Sequence, residues 1–242
     1  MKLLIIRHGE PDYAIDGLTE RGRREAEALA ARIAPMAVKE YYVSPLGRAK
    51  ATAAPTLQRA GRSAVEYDWL QELSIPVRRP DVEGLSRVPW DWLPQDWLSD
   101  PRLLTHDHWM ENEVMRGGDV GGAYARVIGE FDSLLARHGY MREGLYYRAA
   151  RPNSDTLVFF CHLGLGCVLM SHLMNCSPMV LWQGTALPPS SVTVFHTEER
   201  RPGIASFRAA SIGDVSHLYA AGLEPSFAAR FCEVYGNGDR ID

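Results

Sequence analysis

Four places in this chain put chemistry-bearing side chains directly after apolar runs. Arg7 and His8 follow Leu3-Leu4-Ile5-Ile6, and Gly9-Glu10 come next. Ser44 and Arg48 follow the apolar stretch ending at Val43, Glu72 follows the stretch ending at Trp69, and His162 follows Thr156-Leu157-Val158-Phe159-Phe160-Cys161. A guanidinium presents a planar fork to an oxyanion, and an imidazole serves near neutral pH as a nucleophile or a proton carrier. Two arginines and two histidines suit a dianionic phosphoryl group, whose transfer needs charge stabilisation and alignment above all. A neutral imidazole can accept the phosphoryl group. A carboxylic acid must then protonate the leaving oxygen and later deprotonate water. Other chemistries lack their motifs. No serine lies in a GxSxG elbow, no GxGxxG follows Ile6, Gly164-Leu165-Gly166 lacks a third glycine, and there is no GxxxxGK[ST].

The elements that must position these residues can be read from periodicity. Leu3–Ile6 and Thr156–Cys161 are unbroken apolar runs, as in strands buried on both faces of a parallel sheet, where ligands bind beyond the carboxyl ends. Thr19 is a natural cap for a helix carrying Ala26, Leu29, Ala30 and Ile33 and stopped by Pro35. Glu40 to Val43 reads as a strand, with a helix after Arg48 to about Arg59, and Ala64 to Trp69 as a third strand. Val120 to Leu135 gives the best amphipathic helix, with Gly139 as its stop. After His162-Leu163-Gly164-Leu165-Gly166 an apolar helix runs to about Met174. Leu145 to Ser154 reads as an exposed loop or helix end. Ser190–Thr197 and Ile204–Ala210 alternate as two strands, and Phe227 to Tyr235 as a short closing helix. Residues 74–122 break the pattern. They hold five prolines and four of the six tryptophans, and read as an inserted cap with helical pieces at Trp92–Leu98 and His106–Met115. Its tryptophans are read as the cap's own small core before a ligand surface.

Length and composition bound the rest. The 242 residues suit one large α/β domain or two small ones, 46% hydrophobic and 23% charged as in a globular protein. A formal net charge of −4 argues against a general nucleic-acid or anionic-membrane surface, while leaving room for a local cationic pocket. No segment is apolar for long enough to span a bilayer, and the run after Lys2 is too short for a signal peptide. Cys161, Cys167, Cys176 and Cys232 show no CxxC spacing and read as reduced thiols, so a cytoplasmic location is expected.

Several blocks resemble the histidine phosphatase superfamily, the phosphoglycerate-mutase-like proteins. They are Leu4-Ile5-Ile6-Arg7-His8-Gly9-Glu10, Leu18-Thr19-Glu20-Arg21-Gly22, Ser44-Pro45-Leu46-Gly47-Arg48-Ala49, Gln71-Glu72, Gly117-Gly118-Asp119, Cys161-His162-Leu163-Gly164 and Gly213-Asp214-Val215-Ser216-His217-Leu218. The resemblance implies one domain, 1–242. Its fold would be a three-layer α/β/α sandwich with a mostly parallel mixed sheet and a cap at about 74–122. It implies a phosphatase acting on a small phosphomonoester. His8 would accept the phosphoryl group, and Glu72 would be the acid/base. Arg7, Arg48, His162 and the backbone N–H of Leu163 would hold the phosphate, with His162 also counted as catalytic. No metal or other cofactor is expected, nor a nucleic-acid or membrane partner. A phosphoglycerate-type mutase is the alternative, and an idle phospho-ligand-binding protein a third. The family often has Ser or Thr after Arg-His-Gly-Glu, and mutases an Asn three further on; Pro11 and Ala14 stand there and argue against the mutase. Leu163 replaces the usual glycine after the second histidine. Glu83, Glu10 and Asp12 are rival carboxylates. His106 and His108 are two apart, share no helix face, and read as solvated. Arg78-Arg79 reads as a solvated pair before an anion contact, and His217 as a possible rim contact.

Overall fold

The computed structural model describes residues 1–81, 83 and 86–226, with only the backbone of 86 and 87. The expected helix Phe227–Tyr235, Cys232 and the Gly84 beside the rival Glu83 lie outside the described residues.

Strand β1 (Lys2–Arg7) is followed by the short pair β2 (Pro11–Asp12) and β3 (Gly17–Leu18), then helix α1 (Glu20–Ile33). Thr19 caps α1 by accepting the Gly22 N–H at 3.0 Å. Such a cap stabilises a helix by about 1 kcal/mol. Next come β4 (Glu40–Val43), α2 (Gly47–Ala60) and β5 (Val65–Glu66). The expected third strand is thus only two residues long, and the chain turns through a 3-10 segment, Asp68–Leu70, before Glu72. In 74–122 lie the ladder β6 (Val77–Arg78) with β7 (Ser86–Arg87), and helices α3 (Pro94–Trp97) and α4 (Glu113–Gly117), joined by 3-10 turns. Helix α5 (Val120–Arg137) is followed by Gly139 at φ 95°, as its sequence signal required.

Tyr140 onward differs from the sequence expectation. A hairpin of β8 (Tyr140–Glu143) and β9 (Tyr146–Ala149) stands where a loop or helix end was expected. Tyr147 and Ala149 alternate inward, and Arg148 between them points to solvent; a four-residue strand is too short to stand out from its polar surroundings. Strand β10 (Thr156–Cys161) leads into α6 (Leu163–Met174), and α7 (Pro178–Gly184) follows. Long strands β11 (Val192–Arg201) and β12 (Ile204–Asp214) precede α8 (Ser216–Ala220).

Eight strands form one sheet in the order β5-β4-β10-β1-β11-β12-β9-β8. From β5 to β1 the pairing is parallel, and from β1 to β8 it is antiparallel. The mixture still leaves six of the eight strands pointing the same way. Alternate residues of β1 feed two cores. Leu3 and Ile5 join Phe159, Phe195, Phe131 and α6 on one face; Leu4 and Ile6 join Phe160, Tyr41, Leu29, Ile33 and Ala53 on the other. The sheet therefore lies between α1 and α2 on one side and α5, α6 and α7 on the other. Covering both faces explains why β1 and β10 carry no polar alternation. It also makes β1 central, with its carboxyl end beside those of β10 and β4.

Candidate active site

His8 continues the β1 ladder and is pinned by its backbone on both sides. Its N–H donates to the Cys161 carbonyl at 2.9 Å, and its own carbonyl accepts from the Ser190 N–H at 3.0 Å. The imidazole is buried, with Nδ1 2.7 Å from the Gly9 carbonyl. A carbonyl only accepts, so Nδ1 carries the proton and Nε2 keeps its lone pair. Burial, then the positive charges of Arg7 and Arg48, lower the His8 pKa to about 3. His8 is thus neutral and oriented across the physiological range, the state a nucleophilic imidazole needs.

His162 stands against it, the ring centroids 5.1 Å apart. Its Nε2 lies 2.8 Å from Ser44 Oγ, which itself accepts the Leu46 N–H at 3.3 Å. With Ser44 donating its proton to Nε2, the neutral ring carries its hydrogen on Nδ1. Burial first, then His8 and Arg48, hold the His162 pKa well below its ordinary value. Nδ1 of His162 and Nε of Arg48 are buried donors without a partner among the described residues. Buried donors left unpaired cost free energy, and an anion between them would satisfy both.

Arg7 is buried and donates to the Leu187 carbonyl. Arg48 opens the first turn of α2 and is aimed from outside. Asp16, at φ 46°, accepts Arg48 Nη1 and the Gly47 N–H, each at 2.6 Å, and Tyr13 lies under the guanidinium at 5.5 Å. We expect Asp16→Ala to raise KM about 3- to 10-fold with little change in kcat, because the guanidinium loses its fixed orientation but keeps its charge. Steady-state kinetics on one phosphomonoester checks this; an equal fall in kcat would argue against it.

The loop after His8 is held from beneath. Thr52 Oγ1 accepts the Gly9 N–H at 2.9 Å and donates to the Arg48 carbonyl at 2.8 Å, tying the two phosphate-facing segments together. A Cβ on Gly9 would come within 2.8 Å of the Gly22 carbonyl, so only glycine fits there. Glu25, on α1, accepts the Glu10 N–H at 2.7 Å, and its other oxygen is buried without a partner among the described residues. Burial raises the Glu25 pKa to about 7. The folded protein thus holds a proton there between pH about 4.5 and 7 that the unfolded chain releases, and stability falls as pH rises through that window. Glu25→Gln keeps the acceptor and removes the charge. It should add about 1–3 kcal/mol above pH 7 and little near pH 4.5, read from urea midpoints at the two pH values. An unchanged pH dependence would refute the assignment.

Glu72 caps α6 in place of a local side chain. His162, at the N-cap, makes no side-chain cap bond. Glu72 Oε1 accepts from Leu165 at 2.9 Å and from Leu73 at 3.0 Å, and Oε2 from Gly164 at 3.3 Å. Burial outweighs these N–H groups and the charge of Arg7, and the Glu72 pKa is raised. Oε2, with one long bond, has room for a proton. The rivals are otherwise placed. Glu10 accepts from the hydroxyls of Thr19 and Ser226, Asp12 accepts the Ala14 N–H, and Glu83 is exposed. Leu163 is the first residue of α6, at the same strand-to-helix junction as His162.

His217 is buried rather than at a rim. Its Nε2 lies 3.0 Å from Ser190 Oγ, so it supports the residue that holds the His8 carbonyl. Arg79 bridges Asp81 and Asp91, at 2.7 and 2.9 Å. His106 and His108 pair separately, with Asp107 and Glu111. Sequence reading missed Asp16, Thr52, Glu25 and Ser190. Thr52 had a signal, a hydroxyl one helical turn after Arg48; the others act across loops that sequence does not connect.

The profile of the histidine phosphatase superfamily, branch 1, matches residues 3–209, and the chain belongs to that family. It is 22% identical over 212 residues to phosphoserine phosphatase 1 of Hydrogenobacter thermophilus, spanning 83% of this chain and 89% of that one. A probable phosphoglycerate mutase of Cronobacter sakazakii is 24% identical over 235 residues, spanning 93% and 98%. Among solved structures, a phosphoserine phosphatase mutant from Entamoeba histolytica in complex with phosphoserine superposes with a TM-score of 0.58 at 17% identity, covering 90% of this chain and 98% of that one. That likeness bears out the three-layer α/β fold. The family and its relatives bear out a histidine-phosphatase-type phosphomonoester hydrolase, with mutases represented beside phosphatases. No helix among the described residues is long and apolar enough to cross a membrane.

Proposed function

We propose that the chain hydrolyses a small phosphomonoester without a metal, through a phosphohistidine at His8. The observation that carries this is the pairing of a neutral, Nδ1-anchored His8 with the buried, unpartnered donors of Arg48 and His162. Arg7, Arg48, His162 Nδ1 and the Leu163 N–H hold the phosphoryl oxygens. His8 Nε2 forms the bond to phosphorus as the P–O bond to the alcohol breaks, and Glu72 gives that oxygen its proton. Glu72, now a carboxylate, takes a proton from water as the water attacks phosphorus. The P–N bond breaks, and phosphate leaves with His8 restored. His162 stabilises charge in both steps. Residues 1–242 are read as one unit, with about 74–122 as the cap over the strand ends.

A panel of phosphomonoesters in EDTA, with and without 2,3-bisphosphoglycerate, tests the reading. Release of inorganic phosphate from at least one ester, with no need for bisphosphate, is the expected result. Phosphoryl return to phosphoglycerate instead would establish the mutase. Pro11 and Ala14 offer no hydroxyl or amide near the phosphate loop and favour hydrolysis.

A further inference from the structure

The proposed cap encloses a second space next to the phosphate site. Trp90, Trp92, Trp97 and Trp182 line a cavity of about 410 Å³ with Asp91 and Gln183, a volume suited to a small organic group. Trp92 and Trp109 are buried in the larger core together with Trp182 of α7, instead of forming a small core of the cap's own. Trp90 and Trp97 are only partly buried and turn toward the cavity that they line.

None of the catalytic candidates lines the cavity itself; its wall reaches toward them through Trp90, at Gly164. A Cβ built there would come within 2.3 Å of the Trp90 ring and 2.9 Å of Glu72 Oε1. The indole and the carboxylate thus press on the same glycine in the first turn of α6. Trp182 Nε1 donates to the Gly164 carbonyl at 2.9 Å and locks that arrangement. On the other side the cavity ends at Ala186, beside the Leu187 carbonyl that holds Arg7. A groove between α1 and α2 includes none of the site residues, and a cavity of about 560 Å³ on the far side of Glu72 is lined by Glu72 with Tyr67, Trp69 and Arg126.

We propose that this cavity receives the alcohol part of the substrate, and that the substrate is a phosphomonoester of an uncharged alcohol bearing a flat apolar ring. The inference rests on the phosphatase reading of the site. Glu72 protonates the leaving oxygen, so the group attached to that oxygen lies on Glu72's side, where Trp90 stands. Indole faces stack on flat apolar rings. The residues lining the cavity include no lysine, arginine or histidine, and the one carboxylate among them, Asp91, is paired with Arg79 at 2.9 Å. Nothing there would hold the carboxylate of a phosphoglycerate or a second phosphate.

Two alkyl esters of closely similar leaving ability isolate the ring: 2-phenylethyl phosphate and ethyl phosphate. The expected kcat/KM ratio is about 10- to 100-fold in favour of the phenylethyl ester, with 3-phosphoglycerate below both. In Trp97→Ala, the ratio should fall toward one. Calorimetric titration of the His8→Ala protein with the same two esters reads the cavity without turnover; the phenylethyl ester should bind about tenfold more tightly. Ring-selective binding with no turnover of any ester by the unmodified protein would support the cavity and refute the phosphatase reading. Turnover without ring preference, a preference for 3-phosphoglycerate, or equal binding of the two esters would overturn the cavity assignment.

Discussion

His8→Ala is expected to lower kcat by about 10⁴-fold or more, leaving a fold that melts within a few degrees of the parent. The residue's backbone, not its ring, makes the bonds to Cys161 and Ser190, so removing the ring spares the ladder. What is lost is the nucleophile, and no neighbour can replace it. His162 has Nε2 engaged by Ser44 and, in that tautomer, its hydrogen on Nδ1. Protein incubated with a radiolabelled phosphomonoester and denatured in alkaline detergent should carry a base-stable label that later acid treatment releases, absent from the variant. Because the His8 pKa lies at about 3, its protonation makes no acid limb between pH 4 and 6. Retained label or retained turnover in His8→Ala would remove the phosphohistidine from the mechanism.

Glu72→Gln should cost about 10²- to 10⁴-fold in kcat on an alkyl phosphate. The loss in the phosphoryl-transfer step should be much smaller on p-nitrophenyl phosphate, whose leaving group departs without a proton. Hydrolysis of the phosphoenzyme still needs the base, so that variant should show a burst of nitrophenol followed by slow turnover. The pH profile gives a second readout. The acid form of Glu72 is required first, so wild-type activity falls as pH rises through the Glu72 pKa, which burial places above the ordinary carboxyl range. The glutamine variant should lose that alkaline limb. Equal losses on both esters, with no burst, would point to one of the rival carboxylates.

These two residues also show where sequence is informative. His8 was legible because β1 and β10 are covered on both faces. An unbroken apolar run ending in a polar residue is what such a strand looks like. Arg48 and His162 were found the same way, and their positions at neighbouring strand ends followed. Glu72 was harder. Its strand is only Val65–Glu66, both exposed, and the carboxylate is fixed by N–H groups of α6 some ninety residues away. Asp16 and Glu25 were invisible for a related reason. A lone acid in a loop or on a helix takes its meaning from the backbone amide it meets. The hairpin of β8 and β9 was missed because its polar surroundings mask a two-residue alternation. The interior of 74–122 has too few regular elements for periodicity to act on.

The sheet order has a consequence for biosynthesis. Strand β1, which leads to His8, has residues 156–161 and 192–201 as its two neighbours in the sheet. Lys2 pairs with Thr156 on one side and His196 on the other. Pairings so distant along the chain close slowly, and neither can form until the residues beyond 155 have followed β1 out of the ribosome. A chain cut before β10 therefore carries His8 without His162 beside it. The proposed site is completed only when β1 lies between β10 and β11.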